Sequence, residues 1–299
     1  MVEVKVPATS ANMGAGFDTM GIALGMYNII KVKEIESGLK IVNLNSREFI
    51  PVNETNLIYR AVVRAFDEVG YSKRGIKIVQ NSHIPVTRGL GSSSACIVGG
   101  LLAGNAISGH KLTYDRILEL AVVMEGHPDN AVPAMYGGFC VSARDLGKTY
   151  FRSFKLPSKF RYAVMIPDFF VATKKSRGLL PEKVSIGDTA HNISRAVWLA
   201  SSLASGKFDN LRLGVDDRIH QPYRKQYVDG MEEIFEKTYE NGSKATFLSG
   251  SGPTILSVLE GNFHEFKEAM NCYFIEREHK WKCKIIEIDN VGSVVKTMH

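Results

Sequence analysis

A chain of 299 residues, 44% hydrophobic and 23% charged, is long for one core and suits two modest domains of an ordinary globular protein. Its formal charge of +6 is a mild excess, scattered among acids with no basic block, which argues against nucleic acid and fits small anionic substrates as well. Cys96, Cys140, Cys272 and Cys283 lie far apart without a C-x-x-C pair, so neither zinc nor a disulfide framework is expected. No run approaches the roughly 20 apolar residues of a membrane span.

Residues 2–7 alternate as a strand does, and the segment lacks the apolar core of a signal peptide, which makes the cytoplasm the expected location. Residues 7–18 read as a polar, glycine-bearing loop. Strands are expected over 27–36 and 39–43, with a turn at Ser37-Gly38. Leu57, Ala61, Val62, Ala65, Phe66 and Val69 fall at helical spacing, and Gly70 ends that helix. A strand over 76–79 leads into a glycine-serine loop and a small-residue helix over 95–107. Thr113 is placed to cap a helix running to Met124. Glu125-Gly126-His127-Pro128-Asp129-Asn130 is a dense polar cluster, and 136–141 reads as a buried strand. A boundary near Pro157 divides the chain into expected domains 1–156 and 157–299. Beyond it come a strand over 162–166, a basic loop over 173–177, and helices over 191–205 and 227–239. Strands over 245–248 and 254–259 flank Ser249-Gly250-Ser251-Gly252-Pro253, a helix covers 263–272, and a strand over 283–288 closes the chain. Strands and helices mix without strict alternation, so the class is α+β.

The loop Pro85-Val86-Thr87-Arg88-Gly89-Leu90-Gly91-Ser92-Ser93-Ser94-Ala95 organises this pattern. Gly89 and Gly91 let the backbone approach a ligand closely, and Ser92 to Ser94 present hydroxyls and first-turn amides at a helix N-terminus. Those amides and the helix dipole make an anion site. The alternative is an ordinary turn whose serines cap a core helix. Gly99, Gly100 and Gly104 each cost that helix about 1 kcal/mol relative to alanine, which points to close backbone packing. Neither G-x-x-x-x-G-K-[ST] nor G-x-G-x-x-G occurs, so a nucleotide here is held by a different design.

The loop over 7–18, the loop over 85–95 and Ser249-Gly250-Ser251-Gly252-Pro253-Thr254 together resemble the GHMP kinase superfamily, in order and spacing, over almost the whole chain. Within it the likeness is to the branch acting on L-homoserine. The segments that carry it are Thr9-Ser10-Ala11-Asn12 with Gly16-Phe17-Asp18, the 125–130 cluster, residues 173–181 with Arg177, and Asp217-Arg218-Ile219-His220-Gln221-Pro222-Tyr223-Arg224. Met13, Ala15 and Ser251 stand where leucine, proline and alanine are usual, and none removes a polar group.

The resemblance implies a two-domain α+β fold with the active site between the domains. The first domain would be like the second domain of ribosomal protein S5, with a left-handed β-α-β crossover where spacing alone favours a right-handed one. It implies ATP and Mg2+ as cofactors, L-homoserine as acceptor, and a homodimer as the first assembly to test. The loop from Pro85 to Ala95 would hold the phosphates, with Asn56 and residues 84–86 at the adenine. Ser93 and Glu125 are the implied magnesium ligands, although Glu125 also reads as a solvated carboxylate at a helix end. Arg177 and Arg224, otherwise plain surface charges, would fork onto the amino-acid carboxylate. Asn12, Asp18, His127, Asp129 and Asn130 would hold its amino group and hydroxyl. Asp129 is either the general base or an anchor for the ammonium, and Glu125 and Arg177 complete the implied catalytic set. Two other readings stay open: a kinase of the mevalonate or phosphomevalonate type, and a non-catalytic nucleotide-binding regulator.

Overall fold

The computed structural model describes residues 1–45 and 50–298. The chain opens with β1 (Val2–Ala11), β2 (Met20–Ile35), β3 (Leu39–Asn43), α1 (Leu57–Glu68) and β4 (Gly75–Ser82). Three helices follow, α2 (Ser92–Ile107), α3 (Tyr114–Glu125) and α4 (Pro128–Tyr136), then the hairpin of β5 (Phe139–Asp145) and β6 (Lys148–Phe154). The second half runs β7 (Phe160–Pro167), α5 (Thr173–Arg177), α6 (Ile186–Ser205), α7 (Leu211–Gly214), α8 (Gln221–Arg224) and α9 (Met231–Glu240). It ends with β8 (Ala245–Leu248), β9 (Ile255–Glu260), α10 (Phe263–Ile275), β10 (Trp281–Ile286) and β11 (Val294–Thr297).

One sheet has the order β11-β1-β2-β4-β3, with β5 on β2 and β6 on β5; the other has the order β10-β7-β9-β8. β3 and β4 run parallel with α1 between them, inside a largely antiparallel sheet, as the α+β expectation requires. α1 forms because Asn56 caps it, its Oδ1 accepting from the amides of Ile58 at 2.9 Å and Tyr59 at 3.2 Å. Ile58, Ala61, Val62, Ala65 and Phe66 then bury one face of it.

α2 is the centre of the first unit. It is apolar on all sides, and Ser94, Ala95 and every residue from Ile97 to Asn105 are buried, the pattern of a helix enclosed by its neighbours. Its glycines are where other elements press closest. A Cβ at Gly100 would lie 2.6 Å from the Ala61 Cβ, one at Gly104 2.8 Å from the Ala65 Cβ, and one at Gly99 2.4 Å from the Ile30 Cδ1. The helix gives up propensity to bring α1 and β2 against its backbone, as its composition suggests.

The second sheet is covered on both faces, and its strands alternate accordingly. Tyr162, Val164, Phe247, Leu256 and Val258 join the larger core with Leu199, Leu203 and Leu211 of α6 and α7. Ala163, Met165, Leu248, Ile255 and Leu259 point the other way, into a core with Ile234 of α9 and Phe266 and Met270 of α10.

Several expectations are corrected. The first strand continues through Pro7 to Ala11, shifting register between Pro7 and Ala8, so the loop begins at Asn12. The second strand starts at Met20 rather than residue 27. The polar cluster is no simple loop: His127 precedes a helix with Pro128 at its first position, where a missing N–H costs nothing. β6 and β11 are strands that sequence periodicity misses, one stabilised by pairing with β5 and the other with β1. The basic loop is the short helix α5, and α6 begins five residues early because Ser185 caps it through Asp188. The helix expected over 227–239 starts at Met231, after a 3-10 turn at Lys225–Tyr227.

Candidate active site

Hydrogen bonds, most of them buried, tie together five segments remote in sequence. Ser249 Oγ lies 2.8 Å from Ser10 Oγ and donates to the Gly89 carbonyl at 2.5 Å. The Gly250 amide donates to the Ala11 carbonyl at 3.2 Å. The Gly250 carbonyl accepts from Asn12 Nδ2 at 3.1 Å and from Arg224 Nη1 at 2.8 Å. Thr9 Oγ1 donates to Asn130 Oδ1 at 2.7 Å. The ends of β1, α2, β8 and α8 thus form the floor of one cleft.

At one end of the cleft stands the N-terminus of α2. Gly91 precedes it at φ +66°, with no side chain capping the helix. A Cβ on Gly91 would stand 1.9 Å from Thr9 Oγ1, so glycine is required there for both conformation and space. The amides of Ser92, Ser93 and Ser94 are the first-turn donors of this helix, which have no intrahelical acceptor. Beside them Ser93 Oγ donates to Glu125 Oε2 at 2.8 Å. These are hard oxygen donors next to an anion site, the chemistry that suits Mg2+. Among the described residues no group of three or more His, Cys, Asp or Glu could hold a metal. An ion at Ser93 and Glu125 would therefore draw its remaining ligands from water and phosphate, as magnesium does.

At the other end the charges are paired. Arg177 of α5 reaches across to Asp18, and His127 pairs with the buried Asp129. Burial raises the Asp18 pKa, and the charge of Asp129 adds to this against the opposing pull of Arg177 and His127. Burial would lower the His127 pKa, but its hydrogen bond to Asp129 and the charges of Asp129, Glu125 and Asp18 hold it above the ordinary value. Arg224 is 3% exposed; burial first, and then the charge of Arg177, bring its pKa down to about 10. The guanidinium carbons of Arg177 and Arg224 both lie 5.5 Å from the centroid of the Phe17 ring, so one aromatic residue supports two like charges.

Comparison with known proteins places this geometry. A model of the GHMP kinases N terminal domain matches residues 56–138, and one of the GHMP kinases C terminal region matches 199–276. A homoserine kinase of Caldicellulosiruptor saccharolyticus is 42% identical over 297 residues, covering 99% of this chain and 96% of that one. A homoserine kinase of Clostridium kluyveri is 44% identical over 294 residues, covering 97% of each chain. The chain belongs to the homoserine kinase family of the GHMP kinases. Among solved structures, a homoserine kinase from Cytophaga hutchinsonii superposes with a TM-score of 0.87 at 24% identity, covering 99% of this kinase and 97% of that chain. L. major mevalonate kinase in complex with R-mevalonate superposes with a TM-score of 0.71 at 14% identity, over 95% of this kinase and 94% of that chain. At these identities the superpositions speak for the fold alone.

In this homoserine kinase family member, one cavity is lined by Asn12, Asp18, Asn56, Glu125, His127, Asp129, Asn130, Arg177 and Arg224, together with Val86 to Ser93. Pro85, Ser94 and Ala95 do not line it, and the last two are buried in the packing of α2. Three of the residues that line it have much of their hydrogen-bonding capacity committed elsewhere. Asn56 uses its Oδ1 for the α1 cap and donates from Nδ2 to the Pro51 carbonyl at 2.8 Å. Arg88 donates to the carbonyls of Val86, Pro167 and Asp168, pinning the loop to the end of β7. Asn130 Oδ1 holds Thr9. Thr173 and Ser251, from two of the segments that carry the resemblance, also line the cavity, and so do Gln80 and Cys96, which were not expected there from sequence. The side chains of Gln80 and Cys96 carry no local signal, because only the fold brings them there.

Proposed function

We propose that this kinase transfers the γ-phosphoryl group of ATP to the hydroxyl of L-homoserine, giving O-phospho-L-homoserine on the way to threonine. The observation that carries the reading is the layout of the cleft: an anion-binding helix N-terminus at one end, and two arginines with two carboxylates at the other. The 42–44% identity to homoserine kinases over nearly the full chain supports it.

Phosphoryl transfer asks a protein mainly for position and charge neutralisation. The amides of Ser92 and Ser93, which line the cavity, hold the phosphate oxygens. Ser93 and Glu125 would hold Mg2+, which when bound would supply positive charge to the phosphates. Arg177 and Arg224 take the amino-acid carboxylate, and Asp18, Asp129 and Asn12 take its ammonium and orient the hydroxyl. Asp129 acts here as an anchor: its Oδ1 is already occupied by the His127 ring, which leaves it placed to hold the substrate ammonium rather than to take a proton. The hydroxyl proton then passes to an oxygen of the phosphoryl group as its bond to the homoserine oxygen forms and its bond to the departing ADP breaks. Two units meeting near residue 156 supply the two sides of the cleft, with β11 returning to the first sheet. Dependence on ATP fits work in the cytoplasm, and no described helix is long and apolar enough to cross a membrane.

A coupled assay over L-homoserine, L-serine, L-threonine and mevalonate tests the reading. Turnover with homoserine well above the others is expected. Turnover with mevalonate and none with homoserine would overturn it, and nucleotide binding without turnover of any alcohol would replace it with a regulator.

A further inference from the structure

Behind the amino-acid end of the cleft lies a buried polar layer of which the proposed reaction uses only Arg224 directly. Asp217, His220 and Arg224 are 6%, 0% and 3% exposed, so their donors and acceptors must be matched inside the protein. The Asp217 carboxylate accepts from Asn192 Nδ2 at 2.7 Å and from the amides of Ile219, His220 and Gln221 at 3.0, 2.9 and 2.6 Å. It fixes the turn that opens α8, and with it the backbone that carries the His220 ring.

The ring is locked in one protonation state by its two neighbours. His220 Nε2 is 2.8 Å from the Gly14 carbonyl. A carbonyl only accepts, so Nε2 carries the hydrogen. His220 Nδ1 is 3.1 Å from Arg224 Nη1, and a guanidinium only donates, so Nδ1 offers a lone pair. The neutral Nε2–H tautomer alone satisfies both contacts. Burial is the main cause keeping the ring neutral; the Arg224 charge adds to it, and Asp217 opposes.

Arg224 needs such a support. It sits with Arg177 over the same face-bearing residue, Phe17, whose ring is also 5.5 Å from the His220 ring. Two guanidinium groups in one place repel each other; the charges of Asp18, Asp217 and Asp129 oppose that repulsion at Arg224, but before a substrate carboxylate arrives its position is fixed by hydrogen-bond acceptors. Those acceptors are the Gly250 carbonyl and His220 Nδ1.

Resting on the proposed reaction, we propose that His220 is a positioning residue: its Nδ1 lone pair fixes the Arg224 guanidinium where it takes the substrate carboxylate. Two substitutions separate the contacts of the ring. His220→Asn can place an amide oxygen near the Nδ1 position, keeping an acceptor for Arg224. His220→Gln can place an amide N–H near the Nε2 position, keeping the donor to Gly14 and losing the acceptor.

With initial rates measured on both variants, His220→Gln should raise the KM for L-homoserine about tenfold or more and leave the KM for ATP within about twofold, the loss expected for one charge-assisted hydrogen bond. His220→Asn should stay close to the parent enzyme. With 3-aminopropan-1-ol, which is homoserine without its carboxylate, parent and variants should show the same kcat/KM. Rises in both KM values together, equal damage from Asn and Gln, or the same loss with the carboxylate-free alcohol would overturn the proposal. A parent enzyme inactive on homoserine would overturn the functional reading and this inference with it. The parent protein supplies a check that needs no variant: labelled-histidine nitrogen NMR should show a neutral Nε2–H ring that does not titrate between pH 6 and 8, and an Nδ1–H tautomer would refute the assignment.

Discussion

Replacing Gly91 with alanine tests the phosphate loop at its tightest point. Gly91 has φ +66°, a conformation that costs a residue with a Cβ about 1–2 kcal/mol. The new methyl would also stand 1.9 Å from Thr9 Oγ1 and 3.1 Å from both the Thr9 Cβ and Asn130 Oδ1. The Thr9 hydroxyl must therefore abandon its 2.7 Å bond to Asn130, and both residues are buried. Leaving such a pair unsatisfied costs about 1–3 kcal/mol. The sum, about 2–5 kcal/mol, is a large share of the roughly 5–15 kcal/mol that holds a domain folded. Urea unfolding followed by tryptophan fluorescence reads the stability, and initial rates read the site. Gly91→Ala should lower the unfolding midpoint and raise the KM for ATP about tenfold or more, with a smaller change for homoserine. Adding Thr9→Ala removes the hydroxyl that the methyl strikes and should recover the steric part of the loss. A single variant with parental stability and ATP affinity would refute the argument, and so would a double variant whose losses simply add.

Ser93→Ala and Glu125→Gln should each raise the Mg2+ concentration needed for half-maximal rate; an unchanged magnesium titration would remove both from the metal. Arg224→Lys keeps the charge and loses the fork, so the KM for homoserine should rise by roughly 10–100-fold while that for ATP holds; equal rises would place Arg224 outside the amino-acid pocket. The pKa of His127 is raised above 6.5 in the folded protein, so the stability it contributes is complete below about pH 6.5 and is lost as pH rises through the folded value. The melting temperature of the parent should therefore fall more steeply above pH 6.5 than that of His127→Gln, and parallel curves would show that the pair with Asp129 adds nothing.

Where sequence pattern and local physics agree, the chain can be read directly. Asn56 and the apolar spacing after it give α1, and the glycines of α2 announce the close packing that Ala61 and Ala65 confirm. Reading fails where a neighbour decides. Pro128 and Pro133 look like helix breakers, yet α4 forms with Pro128 at its start and is held by burial of all but its last residue. β6 alternates weakly and exists because β5 offers a partner for its whole length. The candidate site follows the same division. Residue types and motif order locate the cleft, but side-chain commitments do not show in one dimension. Arg88 sits in the loop expected to hold phosphate and lines the cavity, and only the fold shows that it also donates to three backbone carbonyls. His220 looks like one polar residue in a motif, and only its buried contacts with Gly14 and Arg224 reveal what it supports.

The pairing of Asp18 with Arg177 bears on why this cleft suits an amino acid better than a phosphorylated alcohol. Without substrate the two side chains satisfy each other. A ligand that is only an anion would draw Arg177 away and leave Asp18, already destabilised by burial and by the charge of Asp129, without its counter-charge. Stranding a partly buried carboxylate in this way is costly. An amino acid avoids that cost because its carboxylate replaces Asp18 on Arg177 while its ammonium replaces Arg177 on Asp18. Both internal charges keep a partner, and Asp129 gains a second beside His127. Under the proposed reaction, discrimination against phosphomonoesters therefore comes from the carboxylates as much as from the arginines. Asp18→Asn should accordingly weaken homoserine binding while improving inhibition by a simple phosphate ester, and a variant that loses affinity for both in parallel would show that Asp18 acts only through the shape of its loop.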